Sequence, residues 1–383
     1  MFELGIAMTI FSPYLAIIPG IFCLIKLIRK ELTIETNPLN IGILLLFIIG
    51  FISGIINKSV NSIIASCGLL LLLSICIYLQ NKLTDRDKIN EFIRKVWGLS
   101  FISGILGIFE KIASYFIDMT WTSHLFFNGP YTPSIEHYRI YSTFGNPNVA
   151  GSWFAVMVLV GIYLFDNEQG KKKFLYFISI GVFICTLIFT GSKGATMGLE
   201  AGVLVYLLLS KNYKSKIILS VIFLMVLSLA LLSPEITHPL NGRDEIWHES
   251  FGLFLKDPMF GSGIFGIYEN TNEVHAHNIW LSFMSMLGIM GIAVYGWIKS
   301  YLYRGLYFTY KKQSDLTSLL TAIQISITIH GIVDFIIMSP QGGIMFLSCS
   351  CLIASLSRSF FQYSVIDFEK IPFHTANLVP KDK

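Results

Sequence analysis

The sequence predicts an all-α, polytopic integral membrane protein. Three observations carry that prediction. Of the 383 residues, 54% are hydrophobic and only 14% charged, where a soluble domain carries about 25% charged residues. Several apolar runs are long enough to cross a hydrocarbon core of roughly 30 Å as helices, which takes about 20 residues each. The basic residues also segregate between alternate loops, as membrane topology requires.

Eleven spans are expected in order, near 4–28, 41–56, 60–80, 92–113, 148–166, 174–190, 194–210, 216–233, 278–301, 316–338 and 342–358. Helices at the N-terminus and elsewhere bring the plausible range to 10–12. The first span is interrupted by Pro13 and Pro19, and proline breaks a helix interior. A short broken pair is the alternative there, with twelve spans and the N-terminus on the other side. The opening "MFELGIAMTI" has no basic segment ahead of its apolar run, so no cleavable signal is expected.

The loops "KLIRKE", "NKLTDRDKINEFIRK", "KKK" (171–173) and "KNYKSK", the stretch from Lys299 to Lys312 and the C-terminal tail share one side. The opposite side holds six of the 28 Lys and Arg: Lys58, Lys111, Arg139, Lys193, Arg243 and Lys256. By the positive-inside rule the first side is cytoplasmic. A single multi-span domain, 1–383, then carries two long extracytoplasmic loops, 114–147 and 234–277. The second precedes the third-last helix and is the richest polar segment of the chain. Within it "RDEIWHESFGLFL" places Ile246, Trp247, Phe251, Phe254 and Leu255 at a spacing that suits an amphipathic helix. The six cysteines all lie in apolar runs, which suggests neither a disulfide framework nor a zinc site. Nothing in the charge pattern points to nucleic acid.

Three outward-side cations sit in distinctive surroundings: Arg139 before "IYSTFGNPNVAG", Lys193 in "TGSKGAT", and Arg243 in "LNGRDEIW". Such groups can hold phosphates, Arg with a planar fork. They can equally contact lipid headgroups or pair locally, Arg243 with Asp244 or Glu245 and Lys193 with Glu200. In "STFGNPN", Asn146 precedes Pro147, which marks a helix start whose free N–H groups could face an anion. "GSGIFG" (261–266) has the G-x-G-x-x-G spacing but no strand–helix context for a dinucleotide. It reads as a turn whose amides could lie near substrate. In "VHAHNIWLSFMSMLGIMG", His277 is nearer the span than His275 and is a candidate general base; a polar helix cap is the plainer reading. No third metal ligand stands out beside the two histidines. Gly288 and Gly291 would admit a neighbouring helix. His330 and Asp334, four apart on the expected helix face, are ionisable groups within a span and so candidate functional residues, or a packing pair.

These segments together resemble the O-antigen ligase and O-antigen polymerase family of bacterial membrane glycosyltransferases, over residues 139 to 291. The resemblance rests on Arg139 with "STFGNPN", on "TGSKGA", on "GRDEIW" leading to "KDPMFGSGIFG", and on His277-Asn278, then the nine residues 279–287, then Gly288-x-x-Gly291. The family usually has Arg where this chain has Lys193. The resemblance implies an inner-membrane enzyme without metal or cofactor. It would move a glycan from undecaprenyl diphosphate to an acceptor sugar hydroxyl on a glycan or on lipid A–core, in O-antigen, capsule or exopolysaccharide synthesis. Arg139, Lys193 and Arg243 would hold the diphosphate. His277 would activate or orient the acceptor, with Asn278, Asn146 and Asn148 in support. Membrane lipids, a flippase and a chain-length regulator are the further partners implied. Ligase and polymerase stay open; the Ile- and Lys-rich composition hints at an AT-rich genome and tilts the reading to polymerase. A transporter or flippase is the alternative from another class, and a non-catalytic assembly factor a third.

Overall fold

The computed structural model describes residues 2–119, 138–211, 243–271, 273–312 and 314–366. The expected span at 216–233, residues 120–137 of the first long loop and residues 234–242 and 272 of the second lie outside the described residues. What is described is almost wholly helical. Seven helices are long and apolar enough to cross a membrane: α3 (Pro38–Ile56), α4 (Val60–Lys82), α5 (Arg86–Ala113), α6 (Pro147–Asn167), α7 (Lys171–Thr190), α11 (Ile279–Tyr310) and the last, Pro340–Phe360, whose α-helical part is α13 (Pro340–Ser357). Among the described residues, seven of the expected eleven spans thus reach that length. Two more apolar helices, α8 (Lys193–Leu209) and α12 (Ser314–His330), have 17 residues each. They pack along one another and against α6, whose span is 89% buried.

The first expected span is a broken pair, α1 (Phe2–Phe11) and α2 (Ile17–Ile28). At 10 and 12 residues and about 1.5 Å per residue, neither crosses 30 Å alone. Phe2, at the start of α1, and Phe22, well along α2, both pack on Tyr78 near the end of α4, with ring centroids 6.0 and 6.3 Å away. The chain therefore doubles back as a hairpin. Its far end meets the opposite loops: Thr143 Oγ1 donates to the Ile10 carbonyl at 2.6 Å, and Gln341 Nε2 to the Thr9 carbonyl at 2.9 Å.

Two departures near the other end position the candidate site. The first is α12, which stops at His330 although the apolar run continues to 338. Three successive carbonyls beyond it are taken by residues from elsewhere. Gly331 O accepts from Ile279 N–H at 2.7 Å, Ile332 O from Asn278 Nδ2 at 2.9 Å, and Val333 O from the Arg243 guanidinium. Backbone groups satisfied sideways cannot extend a helix. His330 and Asp334 consequently do not share a helix face; Asp334 lies in the turn that follows.

The second is a break inside α11, where Gly288 has φ +65°. The segment 258–263 wedges into it. Ser262 N–H and Gly263 N–H donate to Ser285 O and Met286 O at 2.8 and 2.9 Å, and Ile289 N–H donates to Pro258 O at 2.8 Å. Gly288 thus admits this loop, not a neighbouring helix. The amides of Ser262 and Gly263 in "GSGIFG" are bonded to protein carbonyls, which removes them as substrate donors. Short helices flank the loop: α9 (Arg243–Lys256) and α10 (Gly266–Thr271). In α9, Ser250 and Leu253 face inward on α11, while Phe251 and Leu255 are exposed.

Candidate functional site

The site grows from the start of α11. Asn278 is its N-cap: the side-chain oxygen accepts from Trp280 N–H and Leu281 N–H, both at 3.0 Å, while its NH₂ holds the 331–334 turn. One residue earlier, His277 has φ +48°, a left-handed conformation uncommon outside glycine and worth noting at a functional position. That kink turns the ring onto Asp334. His277 Nδ1 lies 3.2 Å from Asp334 Oδ1.

His275 completes the group. Its Nε2 lies 3.6 Å from the same Asp334 oxygen, and the two imidazole centroids are 4.4 Å apart. His275 Nδ1 accepts from His277 N–H at 3.1 Å, so the neutral ring carries its proton on Nε2, toward Asp334. Burial pushes the His275 imidazole down to about 4, with Asp334 pulling the other way. Asp334 is 4% exposed. Burial opposes its ionisation, but the His277 hydrogen bond and the fields of His275, His330 and His277 prevail and hold the carboxyl well below its ordinary range. The remaining His277 nitrogen, Nε2, points away from Asp334 and lies 3.9 Å from the exposed Glu273 carboxylate. A ring that donates from Nδ1 to a carboxylate presents Nε2 as a lone pair, the arrangement a general base needs.

His275, His277 and Asp334 could also each offer a ligand atom to a divalent ion, these atoms lying within 4.8 Å of one another. His277 Nδ1 and His275 Nε2 both face Asp334 Oδ1, so the same atoms that share protons with the carboxylate are the ones an ion would use in deprotonated form.

Arg243 meets the same turn directly, and Lys193 and Arg139 reach it through neighbouring residues. Arg243, first residue of α9, donates to Val333 O, one residue before Asp334. Lys193, exposed, begins α8. Its neighbour Gly194 lies against His330 and Val333: a Cβ there would meet His330 Cδ2 at 2.6 Å. Arg139 reaches the loop before α8. Its Nε donates to Thr190 O and its Nη2 to Asn148 Oδ1, both at 2.7 Å. Contacts therefore run without interruption from Arg139 through 190–194 to His330, Val333 and Asp334, and on to Arg243, His277 and Asn278.

One expectation changes, that the first amides of α6 are free for an anion. Asn146 Oδ1 accepts from Asn148 N–H and Val149 N–H at 2.8 and 3.3 Å. The first amides of α6 are thus capped by protein, not left for an anion. Asn148 acts by orienting Arg139. The residues of the network that the sequence left unassigned are His275 and Glu110 near the end of α5, whose carboxylate grips the segment carrying Arg139; Asp334, a candidate beside His330, has His277 and His275 as its nearer partners.

No curated protein matches this chain. Residues 175–296, which include Lys193, Arg243, His277, Asn278 and the α11 break, match the family model described as O-antigen ligase. By that match, this part of the chain is similar to the O-antigen ligase family, and the match takes in the His277-Asn278 segment and the Gly288 break.

Proposed function

We propose that the protein transfers a glycan from undecaprenyl diphosphate to an acceptor sugar hydroxyl on the extracytoplasmic face of the bacterial cytoplasmic membrane, with chain polymerisation favoured over ligation to lipid A–core. The observation that carries this reading is the hydrogen bond from His277 to Asp334, set on a turn whose carbonyls also fix Arg243 and the α11 cap. His277 Nε2 takes the proton from the acceptor hydroxyl. The oxygen forms a bond to the anomeric carbon of the donor glycan. The bond from that carbon to the diphosphate oxygen breaks, and the diphosphate leaves with the electron pair. Arg139, Lys193 and Arg243 are the cations available to offset its growing charge. Fixed charges aimed at a leaving group stabilise the transition state more than the ground state. Segregation of basic residues to the opposite loops supports the extracytoplasmic placement.

The test is glycan synthesis in vivo and with purified protein. His277→Ala and Arg243→Ala, at normal protein levels, should abolish or sharply shorten surface polysaccharide. Unchanged length and amount would overturn the assignment. Product type separates the two activities: a retained single repeat unit in the deletion means polymerase, loss of all polymer from lipid A means ligase. The α1–α2 hairpin and the α11 break are features that a transporter would share. Movement of lipid-linked glycan between leaflets with no new glycosidic bond would favour that second reading.

A further inference from the structure

We infer that Glu110 is a positioning residue for Arg139 and thereby sets the affinity of the site for the diphosphate of the donor lipid. The inference rests on the reading of Arg139 as a diphosphate ligand. Glu110 lies one turn from the end of α5 and has no part in the proton network around His277. Its carboxylate accepts three hydrogen bonds from the segment that carries Arg139. Tyr138 O–H donates to Oε1 at 2.8 Å, Tyr141 N–H to Oε1 at 3.2 Å, and Ser142 N–H to Oε2 at 2.6 Å. These donors bracket Arg139 on both sides. The next residue, Lys111, donates to Tyr138 O at 2.8 Å.

The bed beneath the segment is shaped for it. Ser142 has φ +51°, and its hydroxyl donates to Ser103 O at 2.7 Å. A Cβ on Gly107, between Ser103 and Glu110 on α5, would meet Ile140 and Ser142 at 3.2 Å and Thr186 at 2.9 Å. On its other flank the segment is tied to the end of α7 by Ile140 N–H to Phe189 O at 3.2 Å. Arg139 therefore extends from a strip of backbone fixed from two sides. Only Nε and one Nη2 hydrogen are committed to Thr190 and Asn148 among the hydrogen bonds described. The guanidinium keeps further N–H groups for a phosphate.

A carboxylate suits this place because it accepts at both oxygens and donates at neither. A carboxamide of the same shape would turn an NH₂ toward backbone N–H groups that cannot accept. The strip would shift, and the Arg139 fork with it. A fork held within a few tenths of an ångström is what bidentate phosphate recognition needs.

Steady-state turnover of the full-length protein in nanodiscs tests this, varying undecaprenyl-diphosphate glycan and acceptor separately. Glu110→Gln should raise the donor KM by about tenfold, the scale of one lost charge-assisted hydrogen bond, with the acceptor KM unchanged. Tyr138→Phe, which deletes one of the three donors, should move the donor KM in the same direction by less. In Glu110→Gln/Arg139→Ala the effects should not add, because one acts through the other. An unchanged donor KM in Glu110→Gln, or equal rises for donor and acceptor, would overturn the inference. If Glu110→Gln does not fold, Tyr138→Phe decides on the same criterion. Arg139→Ala separates the two levels. A normal donor KM there overturns the diphosphate reading itself, whereas a raised one beside a normal Glu110→Gln overturns only the positioning role.

Discussion

His277 Nδ1 sits 3.2 Å from Asp334 Oδ1, across 57 residues of sequence, and the same oxygen lies 3.6 Å from His275 Nε2. One buried carboxylate thus orders two rings and leaves His277 Nε2 directed away from the turn. Asp334 also accepts from its neighbour's backbone, Phe335 N–H, at 2.7 Å, which fixes the carboxylate itself. Asp334→Asn keeps the size but offers one accepting oxygen and an NH₂, so His277 is free to take the other tautomer. Turnover should fall by about 10² to 10⁴-fold, the range of a positioned general base, with the donor KM little changed. Rates at matched protein levels check this; activity within twofold of wild type would remove His277–Asp334 from the mechanism.

A pH dependence of stability follows from His275. Its folded value is about 4, below the ordinary 6.5 of the unfolded chain. Between these values the unfolded state binds a proton that the folded state refuses. Stability is therefore fully present above about pH 6.5 and declines as pH falls toward 4. Protonation at Nδ1 also removes the acceptor for His277 N–H. The thermal midpoint of the detergent-solubilised protein should drop across that window, and the drop should be smaller in His275→Gln. Asp334, held below its ordinary range, loses its contribution only at lower pH and does not confound the reading.

The sequence carried the long apolar helices plainly, and the prolines at 13 and 19 marked the one that breaks. Asn146-Pro147 announced a helix start correctly because capping is a local interaction; the cap expected at His277 falls one residue on, at Asn278. Where α12 ends was not legible. The run through Ile336 and Met338 is as apolar as a helix interior, and its end is imposed by Ile279, Asn278 and Arg243, which take the carbonyls of 331–333 from distant segments. Residues two apart do not share a helix face, so spacing alone gives His275 no place beside His277. The left-handed backbone at His277 puts both rings beside Asp334 outside any helix, and no periodicity argument sees that. Glu110 gave no signal, since its partners, Tyr138 to Ser142, lie about thirty residues on, along a loop.

Gly288 should tolerate no side chain. Its φ of +65° costs an L-residue about 1–2 kcal/mol, and an added Cβ would collide with the Met259 carbonyl and with Phe260 N, the latter at 2.7 Å. Gly288→Ala must therefore expel the 258–263 wedge, and with it disturb the start of α11 that carries Asn278. A marked fall in thermal midpoint and loss of activity are expected. Gly296, in the same helix, has nothing within 4 Å of its Cβ direction. Gly296→Ala should leave both unchanged or raise stability slightly. Equal behaviour of the two variants would show that the break does not hold the loop.

Lys193 is the position where this chain departs from the Arg usual in the family it resembles. It starts α8, its side chain is exposed, and the neighbouring Gly194 and Ser192 are buried, so the backbone is fixed while the side chain has room. A lysine there serves a phosphate as a point charge; an arginine adds a two-pronged fork. Lys193→Arg should therefore keep turnover and leave the donor KM equal or lower, whereas Lys193→Ala should raise it severalfold. Raising ionic strength should weaken donor binding less in Lys193→Ala than in wild type, because exposed charges are screened over about 8–10 Å. A donor KM indifferent to all three conditions would place Lys193 outside the diphosphate site and leave the work to Arg139 and Arg243.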